Sequence, residues 1–332
     1  MRARVLISIV AYNSGPCLHS CLESLEAQTF RGFRIAIWDN ASTDATRAII
    51  ENSRERMGFI HYSNLNLGFC AAHNHLIRSA ESDYVLVLNP DVVLEAAFLE
   101  RMVAWMDRDQ SAGSATGKLL RPLNSSGPGA MLDSTGVYFT PSQRHFDRGS
   151  DQRDAGQYQK PEYVFGASGA AAFYRRRMLE DVREGTEYFD ESFFAYREDA
   201  DLAWRAQWMG WRCLYVPEAV AYHERRVLPR KRSELPDAIN MHSFKNRFLL
   251  RVKNMDSGTY ARFFFLITLR DASALLYVIA RERSSLRGVS LLVSAFPKAW
   301  ARRKSLQSKR RVSPREIRSW FSYRPVARPI EI

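Results

Sequence analysis

The feature that most constrains the fold is an alternation of short apolar runs and helical patterns in the first quarter of the chain. Val5–Val10 is a continuous apolar run rich in β-branched residues, and Arg34–Trp38, Phe59–Tyr62 and Tyr84–Leu88 are shorter runs. Helical patterns separate them, and one of these starts near Thr46. Such runs are typical of parallel strands that are covered on both faces. The alternation therefore predicts an α/β fold with an open, mostly parallel sheet and flanking helices.

Polar side chains follow three of the four predicted strands. The clusters are Tyr12-Asn13, Asp39-Asn40 and Asn89-Pro90-Asp91. Asparagine and aspartate also end strands as ordinary turn residues, so any one cluster has two equally good explanations. In open α/β sheets, however, ligands bind beyond the carboxyl ends of the strands. The coincidence of all three clusters favours a ligand site at this edge of the sheet.

Three features further along the chain have a structural explanation as well as a functional one. Glu198, Asp199 and Asp201 open a predicted helix, where the helix dipole alone favours acidic residues. His223 ends a predicted strand, and a single histidine is usually structural. Val164–Tyr174 is rich in small residues, which allow the backbone to approach a ligand or to pack tightly on a neighbour.

The net charge of +12 is unevenly distributed along the chain. Residues 1–224 hold 23 Lys and Arg against 29 Asp and Glu, whereas residues 225–332 hold 25 against 7. A slightly acidic body with a strongly basic C-terminal part predicts attachment to an anionic partner. Nucleic acid and anionic lipid both qualify, but the sequence contains no recognition motif for nucleic acid, which disfavours that partner.

Two apolar runs in the basic part, Tyr260–Ala280 and Val289–Trp300, favour an anionic membrane surface. Arg262, Arg270 and Asp271 interrupt the first run, and basic residues follow each run. Helices of this composition lie in the headgroup region of an anionic bilayer. The alternative is a helical appendage that packs on the rest of the chain or on a second subunit, so a homo-oligomer stays open.

The compartment follows from two further observations. The longest uninterrupted apolar stretch falls short of roughly 18 residues, so we expect no transmembrane helix. The cysteines Cys17, Cys21, Cys70 and Cys213 have neither a CxxC pair nor metal-ligand spacing, which suits buried thiols in a reducing compartment. These features predict a cytoplasmic protein that is peripheral at the inner face of the cytoplasmic membrane.

Five segments, taken in order, resemble the family 2 glycosyltransferases, especially their rhamnosyltransferase-like branch. The segments are ISIVAYN, WDNASTD, NLNLGFCAAHN, LNPD and FDESFFAYREDADLAWRAQWMGWRCLYVPEAVAYH. Their order and spacing make the match specific, and it covers roughly residues 4–224. The resemblance implies a GT-A fold, a nucleoside-diphosphate sugar donor, a divalent cation (Mg²⁺ or Mn²⁺) and inversion at the anomeric carbon.

The resemblance also implies a division of the chain. Residues 1–225 are expected to form the catalytic domain, with a donor half of about residues 1–120 and an acceptor half of about residues 121–225. Residues 226–332 are expected to form a basic, amphipathic helical C-terminal region. The polar strand ends fall in the donor half, and the acidic helix start falls in the acceptor half.

Donor-binding residues are assigned by their match to the family's motifs. Those after the first two strands are Ala11, Tyr12, Asn13 and Asp39. The Asp39 carboxylate is expected to accept the imide N–H of a pyrimidine base, and Tyr12 and Asn13 to contact base and ribose. Asn66 and Gly68 are expected to lie against the nucleotide. Asn89-Pro90-Asp91 occupies the place of the DxD motif.

Asn89 departs from that motif, because an amide brings no charge to a cation. Asp91 is therefore expected to be the main metal ligand, with His223 as a second ligand and with modest metal affinity. The alternative role for Asp91 is the N-cap of a helix predicted over Val92–Met102. One side chain could serve both purposes.

The reaction needs a carboxylate that takes the proton of the attacking hydroxyl. The resemblance implies that Asp199 is this general base, because Glu198-Asp199 matches the family's acidic pair at the start of a helix. Glu198 and Asp201 are expected to orient neighbouring groups or the acceptor. The implied reaction transfers rhamnose or another deoxyhexose from a dTDP- or UDP-sugar to a lipid-linked glycan in cell-envelope polysaccharide synthesis. Two alternatives stay open: a different hexose donor with a protein or polysaccharide acceptor, and a catalytically silent scaffold that binds nucleotide or glycan.

Overall fold

A computed structural model describes residues 3–122, 130–225 and 236–330 of the chain. The strands are β1 (Val5–Ala11), β2 (Phe33–Asn40), β3 (Phe59–Ser63), β4 (Tyr84–Leu88), β5 (Val92–Leu94), β6 (Ala112–Leu120), β7 (Leu132–Ser134), β8 (Val137–Phe139), β9 (His145–Asp147), β10 (Glu162–Val164), β11 (Ala171–Arg175), β12 (Arg212–His223) and β13 (Arg328–Pro329). The α-helices are α1 (Gly15–Glu26), α2 (Thr46–Asn52), α3 (Gly68–Arg78), α4 (Phe98–Arg108), α5 (Arg176–Val182), α6 (Glu198–Trp208), α7 (Asp237–Asn254), α8 (Ser257–Arg281), α9 (Arg287–Lys309) and α10 (Pro314–Arg318).

The N-terminal part of the sheet is parallel, as the alternation predicts. β1 lies between β2 and β4, and β3 extends the sheet beyond β2. The register places Ala11 opposite Asp39 and Ile9 opposite Leu88. Parallel neighbours end at the same edge of a sheet, so the loops after β1, β2 and β4 meet there. The predicted α/β fold with a mixed, mostly parallel sheet is confirmed.

The second part continues the same sheet with mixed pairing. β11 is antiparallel to both β4 and β6, and β12 runs parallel to β6. β10 and β13 complete this edge by antiparallel pairing, while β8 and β9 form a separate two-stranded sheet. The ladder between β6 and β12 slips between Val216 and Val220, around Pro217. Proline has no N–H to donate, so a bulge is where a strand tolerates it.

The helix predicted over Val92–Met102 is wrong in its first part. Val92–Leu94 is strand β5, which pairs antiparallel with the end of β12, and the helix begins only at Phe98. Asp91 is therefore not a helix N-cap. Val92, Val93 and Leu94 are all apolar, and a run of three apolar residues fits the start of a helix as well as a strand.

Helix α7 joins the C-terminal region to the catalytic body. The ammonium of Lys253 is fully buried and lies 2.9 Å from carboxylate oxygens of both Asp190 and Asp201. The Asn254 amide donates to Asp201 over 2.8 Å, and the Trp208 indole donates to the Asn254 carbonyl over 2.8 Å. Helix α7 is thus packed against α6, and the functional division near residue 225 stays a prediction.

Helices α8 and α9 show most of their apolar side chains to the outside. Phe265 is 84% exposed, Leu269 71% and Leu276 67% on α8, and Val293 is 67% exposed on α9. Helix α8 is, by length and composition, capable of crossing a membrane, with a mean hydropathy of 1.7 over its most apolar window. The charged residues that interrupt this run are too few to lower its mean hydropathy, so composition alone does not distinguish a crossing helix from an interfacial one, and the expectation of no transmembrane helix stays a prediction.

Candidate active site

The loops after β1 and β2 are tied together by their own polar groups. The side-chain oxygen of Asn13 accepts from the main-chain N–H of Thr43 over 2.8 Å, and the Asn13 N–H donates to the Ser42 hydroxyl over 3.0 Å. Asp39 is almost fully buried, and its carboxylate accepts from the Ser42 N–H over 3.1 Å. Tyr12 projects outward with 52% of its surface exposed. The edge thus combines a fixed carboxylate with an accessible aromatic ring.

The loop before α3 is held by a buried asparagine that the sequence analysis did not assign. Asn40 accepts from the Leu67 N–H over 2.9 Å and donates to the Asn66 side-chain oxygen over 2.8 Å. Gly68 has a φ of +80°, and a Cβ there would lie 2.6 Å from the ring of Phe194. Gly68 is buried and donates its N–H to Asn66, so it shapes this loop from within, whereas Asn66 is exposed.

Asp91 and His223 meet at the same edge of the sheet. The Nε2 atom of His223 lies 3.4 Å from Oδ1 of Asp91, and its Nδ1 atom lies 2.7 Å from Oδ2 of Asp133. The cause is strand β5: His223 pairs with Val92, the residue that follows Asp91. The main-chain N–H of Glu224 also donates to the Asp91 carbonyl over 3.0 Å. Asp91 adjoins a cavity of about 300 Å³ as well.

The environment of Asp91 and His223 suits a divalent cation. Apart from the 3.4 Å ionic contact with His223, the buried Oδ1 of Asp91 has no hydrogen-bond partner, and Asp133 fixes the ring of His223 as a carboxylate commonly does behind a metal-bound histidine. Burial lowers the pKa of His223, but the contacts with Asp133 and Asp91 outweigh burial and raise it to about 9. An imidazolium must release its proton before it can ligate a metal, so metal binding at this histidine would depend on pH.

Further ligands for such a cation come from outside this pair. Within residues 3–122, 130–225 and 236–330, no group of three or more His, Cys, Asp or Glu side chains is placed to hold a metal ion. A cation held by Asp91 and His223 would need further ligands, which water or the phosphate oxygens of a ligand commonly supply to Mg²⁺. The side chain of Asn89 is half-buried near this point, on the loop after β4.

Asp199 is linked to the loop after β4 through the small-residue segment. Its Oδ2 atom accepts from the Gly169 N–H over 3.0 Å, and the next residue, Ala170, accepts from the Asn89 N–H over 2.9 Å. A Cβ on Gly169 would lie 3.3 Å from the Asp199 side chain, a tight contact that would press on this carboxylate. Asp199 is half-buried at the start of α6.

Glu198 and Asp201, on the same helix turn, have other surroundings. Glu198 is buried, and burial together with the neighbouring charge of Asp199 raises the pKa of its carboxyl to about 8. Asp201 is fully buried, where its carboxylate accepts from Arg205 and Lys253, each over 2.9 Å. Asp201 therefore holds neighbouring helices together and is out of reach of an acceptor, contrary to one of its two expected roles.

Comparison with known proteins identifies the family. The sequence pattern described as Glycosyl transferase family 2 matches residues 6–183, which is more than half of the chain. The chain belongs to this family. It is 29% identical over 237 residues to an N-acetylglucosaminyl-diphospho-decaprenol L-rhamnosyltransferase of Mycobacterium tuberculosis, covering 65% of this chain and 74% of that protein. It is also 23% identical to the amylovoran biosynthesis glycosyltransferase AmsB of Erwinia amylovora, covering 65% and 68% respectively.

Solved glycosyltransferases share the GT-A fold of this family 2 member. The mannosyltransferase PcManGT from Pyrobaculum calidifontis superposes with a TM-score of 0.52 at 16% identity, covering 93% of this chain and 86% of that one. S. aureus TarS 1-349 gives 0.54 at 18% identity, covering 98% and 93%. GalNAc-T7 gives 0.58 at 13% identity, covering 76% of this chain but only 48% of the longer GalNAc-T7 chain. These similarities establish the fold.

Two charged residues of this family 2 glycosyltransferase escaped the sequence analysis. Asp133 lies in a stretch that the sequence shows only as irregular, and nothing in its spacing points to His223. Arg225 lies 3.1 Å from Oδ1 of Asp133 and also pairs with Asp147 over 2.6 Å. The sequence around Asp133 offers one hint of its role, an aspartate directly after the apolar Leu132, and that pairing is too common to be informative.

Proposed function

We propose that this family 2 member is an inverting, metal-dependent glycosyltransferase that moves a deoxyhexose such as rhamnose from a dTDP- or UDP-sugar to a hydroxyl of a lipid-linked glycan. The observation that carries the proposal is the link from the loop after β4 to Asp199. Asn89 bonds Ala170, and the adjacent Gly169 bonds Asp199. Two hydrogen bonds through adjacent residues thus connect the expected base to the loop that carries Asn89 and Asp91, where the donor diphosphate is expected.

Each group has one task in this mechanism. Asp39 accepts from the nucleobase, and Tyr12 and Asn13 contact base and ribose. Asp91 and His223 would hold a divalent cation, which would supply positive charge to stabilise the leaving diphosphate. Ala11 ends β1 directly opposite Asp39 and supplies backbone at the same edge.

The reaction is a single displacement. The acceptor oxygen attacks the anomeric carbon on the face opposite the diphosphate, the new glycosidic bond forms, and the bond from the anomeric carbon to the diphosphate oxygen breaks. Asp199 takes the proton of the attacking hydroxyl. Glu198, with its raised pKa, stays protonated at neutral pH. A protonated Glu198 leaves Asp199 as the carboxyl group that can act as the base.

The sugar and the acceptor are inferred from relatives. The mycobacterial relative is a rhamnosyltransferase that acts on a decaprenol-linked substrate. An Escherichia coli relative, 26% identical over 106 residues, is a glucosyltransferase that acts on an undecaprenol-linked substrate. Both names describe polyprenol-linked acceptors, which supports a lipid-linked glycan more strongly than it supports one particular sugar. A different hexose donor, or a protein or polysaccharide acceptor, is the alternative outcome of a substrate screen.

A lipid-linked acceptor calls for contact with a membrane, and α8 and α9 suit that contact. Their exposed apolar side chains are accompanied by exposed basic residues such as Arg262, Arg281 and Lys304. The middle of α8 is tied to the body, because Arg270 donates to the Gln143 carbonyl over 3.2 Å. A helix held along the body in this way favours lying in the bilayer interface over crossing it. We therefore place the protein peripherally at the inner face of the cytoplasmic membrane.

The donor can be identified by a thermal-shift screen of nucleotide sugars with and without Mn²⁺. A ligand that binds only the folded state adds about 2.7 kcal/mol of stability at a hundredfold excess over its Kd. We expect a dTDP- or UDP-deoxyhexose to raise the melting temperature, and Mn²⁺ to enlarge the shift. Stabilisation that is equal with and without Mn²⁺ would contradict metal-assisted donor binding. The absence of any shift, together with absent transfer, would contradict the proposed function.

A further inference from the structure

The segment directly before the proposed base has an unusual backbone. Phe194, Tyr196 and Arg197 all have positive φ angles of 67°, 72° and 71°. Side chains with a Cβ rarely adopt this region, and such residues persist only where the surroundings hold them. The Arg197 carbonyl then accepts from Asp201 over 2.9 Å in the first turn of α6. The orientation of Glu198 and Asp199 thus depends on a strained approach, which we call the entry loop (residues 193–197).

One buried side chain on α7 contacts nearly the whole entry loop. The amide nitrogen of Asn246 lies 2.9 Å from the carbonyl oxygen of Phe193, 2.8 Å from that of Ala195 and 2.7 Å from that of Tyr196. Asn246 is fully buried. Two amide hydrogens serve three carbonyl groups, so this single side chain satisfies most of the polar backbone that the entry loop turns inward.

The other contacts show that α7 and α3 enclose the entry loop from two sides. From α3, the Cys70 N–H donates to the Phe194 carbonyl over 3.1 Å. From α7, the Lys245 ammonium donates to the carbonyl of Ser192, just before the entry loop. The ring of His242 stacks on that of Phe194 at 4.5 Å between centroids. The entry loop therefore connects the loop that holds Asn66 and Gly68 with the C-terminal region.

We infer that Asn246 is a positioning residue for the proposed general base, and that the C-terminal region contributes to catalysis through it. This inference rests on the proposed function of Asp199. Asn246 does not touch the expected reaction site. By binding the carbonyl groups of Phe193, Ala195 and Tyr196 it holds the strained backbone that directs the first turn of α6. A small displacement of a catalytic group can cost about a hundredfold in rate.

The test compares Asn246→Ala and Asn246→Asp with Leu250→Ala in the full-length chain. Asn246→Asp keeps the size but places an acceptor against three carbonyl oxygens. Leu250 is equally buried, one turn further along α7, and its side chain makes no hydrogen bond to the entry loop. Hydrogen exchange of peptides covering residues 192–199 reports the entry loop directly. Steady-state turnover of the donor found in the substrate screen reports catalysis.

We expect both Asn246 variants to exchange faster in the entry loop and to lose about a hundredfold in kcat, with KM for the donor within about twofold of wild type. Leu250→Ala is expected to have a lower melting temperature than wild type. At assay temperatures well below its own melting temperature, its kcat is expected to equal that of wild type. If Asn246→Asp does not fold, Asn246→Ala decides, and Asn246→Ser is the milder variant. Unchanged exchange and kcat in the folded variant, or an equal loss of kcat in Leu250→Ala, would overturn the inference.

Asp199→Asn, measured beside them, separates this inference from the proposed function. If Asp199→Asn turns over normally, the assignment of the base is wrong. The hydrogen-exchange data then still show whether Asn246 holds the entry loop: faster exchange in the Asn246 variants supports this contact, and unchanged exchange contradicts it. If Asp199→Asn is inactive while the Asn246 variants keep full kcat and protected entry loops, the base assignment stands. In that case the positioning role of Asn246 is overturned.

Discussion

Glu198 lies buried beside the half-exposed Asp199, and the charge of Asp199 adds to burial in raising the pKa of Glu198 to about 8. A carboxyl group that keeps its proton when folded but releases it when unfolded makes stability depend on pH. The folded state binds the extra proton between the ordinary value of 4.5 and about 8. Stability from this group is therefore complete below pH 4.5 and is lost as the pH rises through about 8.

Glu198→Gln should remove this dependence, because the amide has no proton to lose. The free energy of unfolding of wild type is expected to fall relative to Glu198→Gln by on the order of 1 kcal/mol per pH unit within that window. Urea denaturation at several pH values measures the difference. Glu55→Gln, which changes an exposed acid, is the control and should track wild type. Parallel pH profiles for Glu198→Gln and wild type would mean that Glu198 is ionised in the folded protein.

Asp39→Ala should weaken donor binding by roughly 10- to 100-fold, because hydrogen bonds to a charged group contribute about 1.5–3 kcal/mol. Asp39→Asn keeps an acceptor for the Ser42 N–H and should show a smaller loss. Titration calorimetry with the nucleoside diphosphate measures both, and circular dichroism verifies the fold. Wild-type affinity in a folded Asp39→Ala variant would remove Asp39 from the nucleobase.

The proposed metal site predicts a graded series. Asp91→Asn and His223→Ala should abolish binding of Mn²⁺ in the presence of nucleoside diphosphate, because each removes a ligand. Asp133→Asn should weaken it about 10- to 100-fold, since it loosens the orientation of His223. Asp147→Asn changes another acid that pairs with Arg225 and should bind Mn²⁺ normally. Full activity in excess EDTA would contradict the metal-dependent mechanism.

The strands of the first quarter were predictable because buried parallel strands appear as apolar runs in the sequence. The edge that gathers Asn13, Asp39 and Asp91 follows from their parallel arrangement, because the loops after parallel strands meet at one edge. The pairing of β5 with β12 could not be predicted, because a three-residue strand depends on a partner far away in the chain. The contact between Asp91 and His223 was therefore available only through the family resemblance, and Asp133 not at all.

The C-terminal region shows the same limit. Helices α8 and α9 were predictable from composition: α8 extends the predicted run Tyr260–Ala280 by a few residues, whereas α9 continues to Lys309, well beyond the predicted end at Trp300. The burial of Asn246 and Lys253 could not be predicted, because polar residues on a basic helix normally face solvent. Their partners on the entry loop and α6 only become neighbours in the folded chain.

The membrane proposal predicts reversible binding to anionic vesicles. Phe265→Glu with Leu276→Glu should abolish co-sedimentation, because both side chains are exposed on α8 and lose their apolar contact with lipid. Leu65→Glu with Tyr323→Glu, equally exposed but outside α8 and α9, is the matched control. The electrostatic contribution of the basic residues to vesicle binding should decline as the Debye length falls from about 10 Å at 0.1 M salt to about 3 Å at 1 M. Equal binding by both double variants would show that α8 does not contact the bilayer.

The central claim is that Asp199 removes the proton of the acceptor hydroxyl, and Asp199→Asn tests it most directly. The amide preserves the size of the side chain and an acceptor for the Gly169 N–H, so the fold and donor affinity should be retained. A positioned base contributes about 10²- to 10⁴-fold in rate. Single-turnover transfer from the identified donor should therefore slow by that factor in Asp199→Asn, with an unchanged donor Kd. Transfer at the wild-type rate would contradict the account.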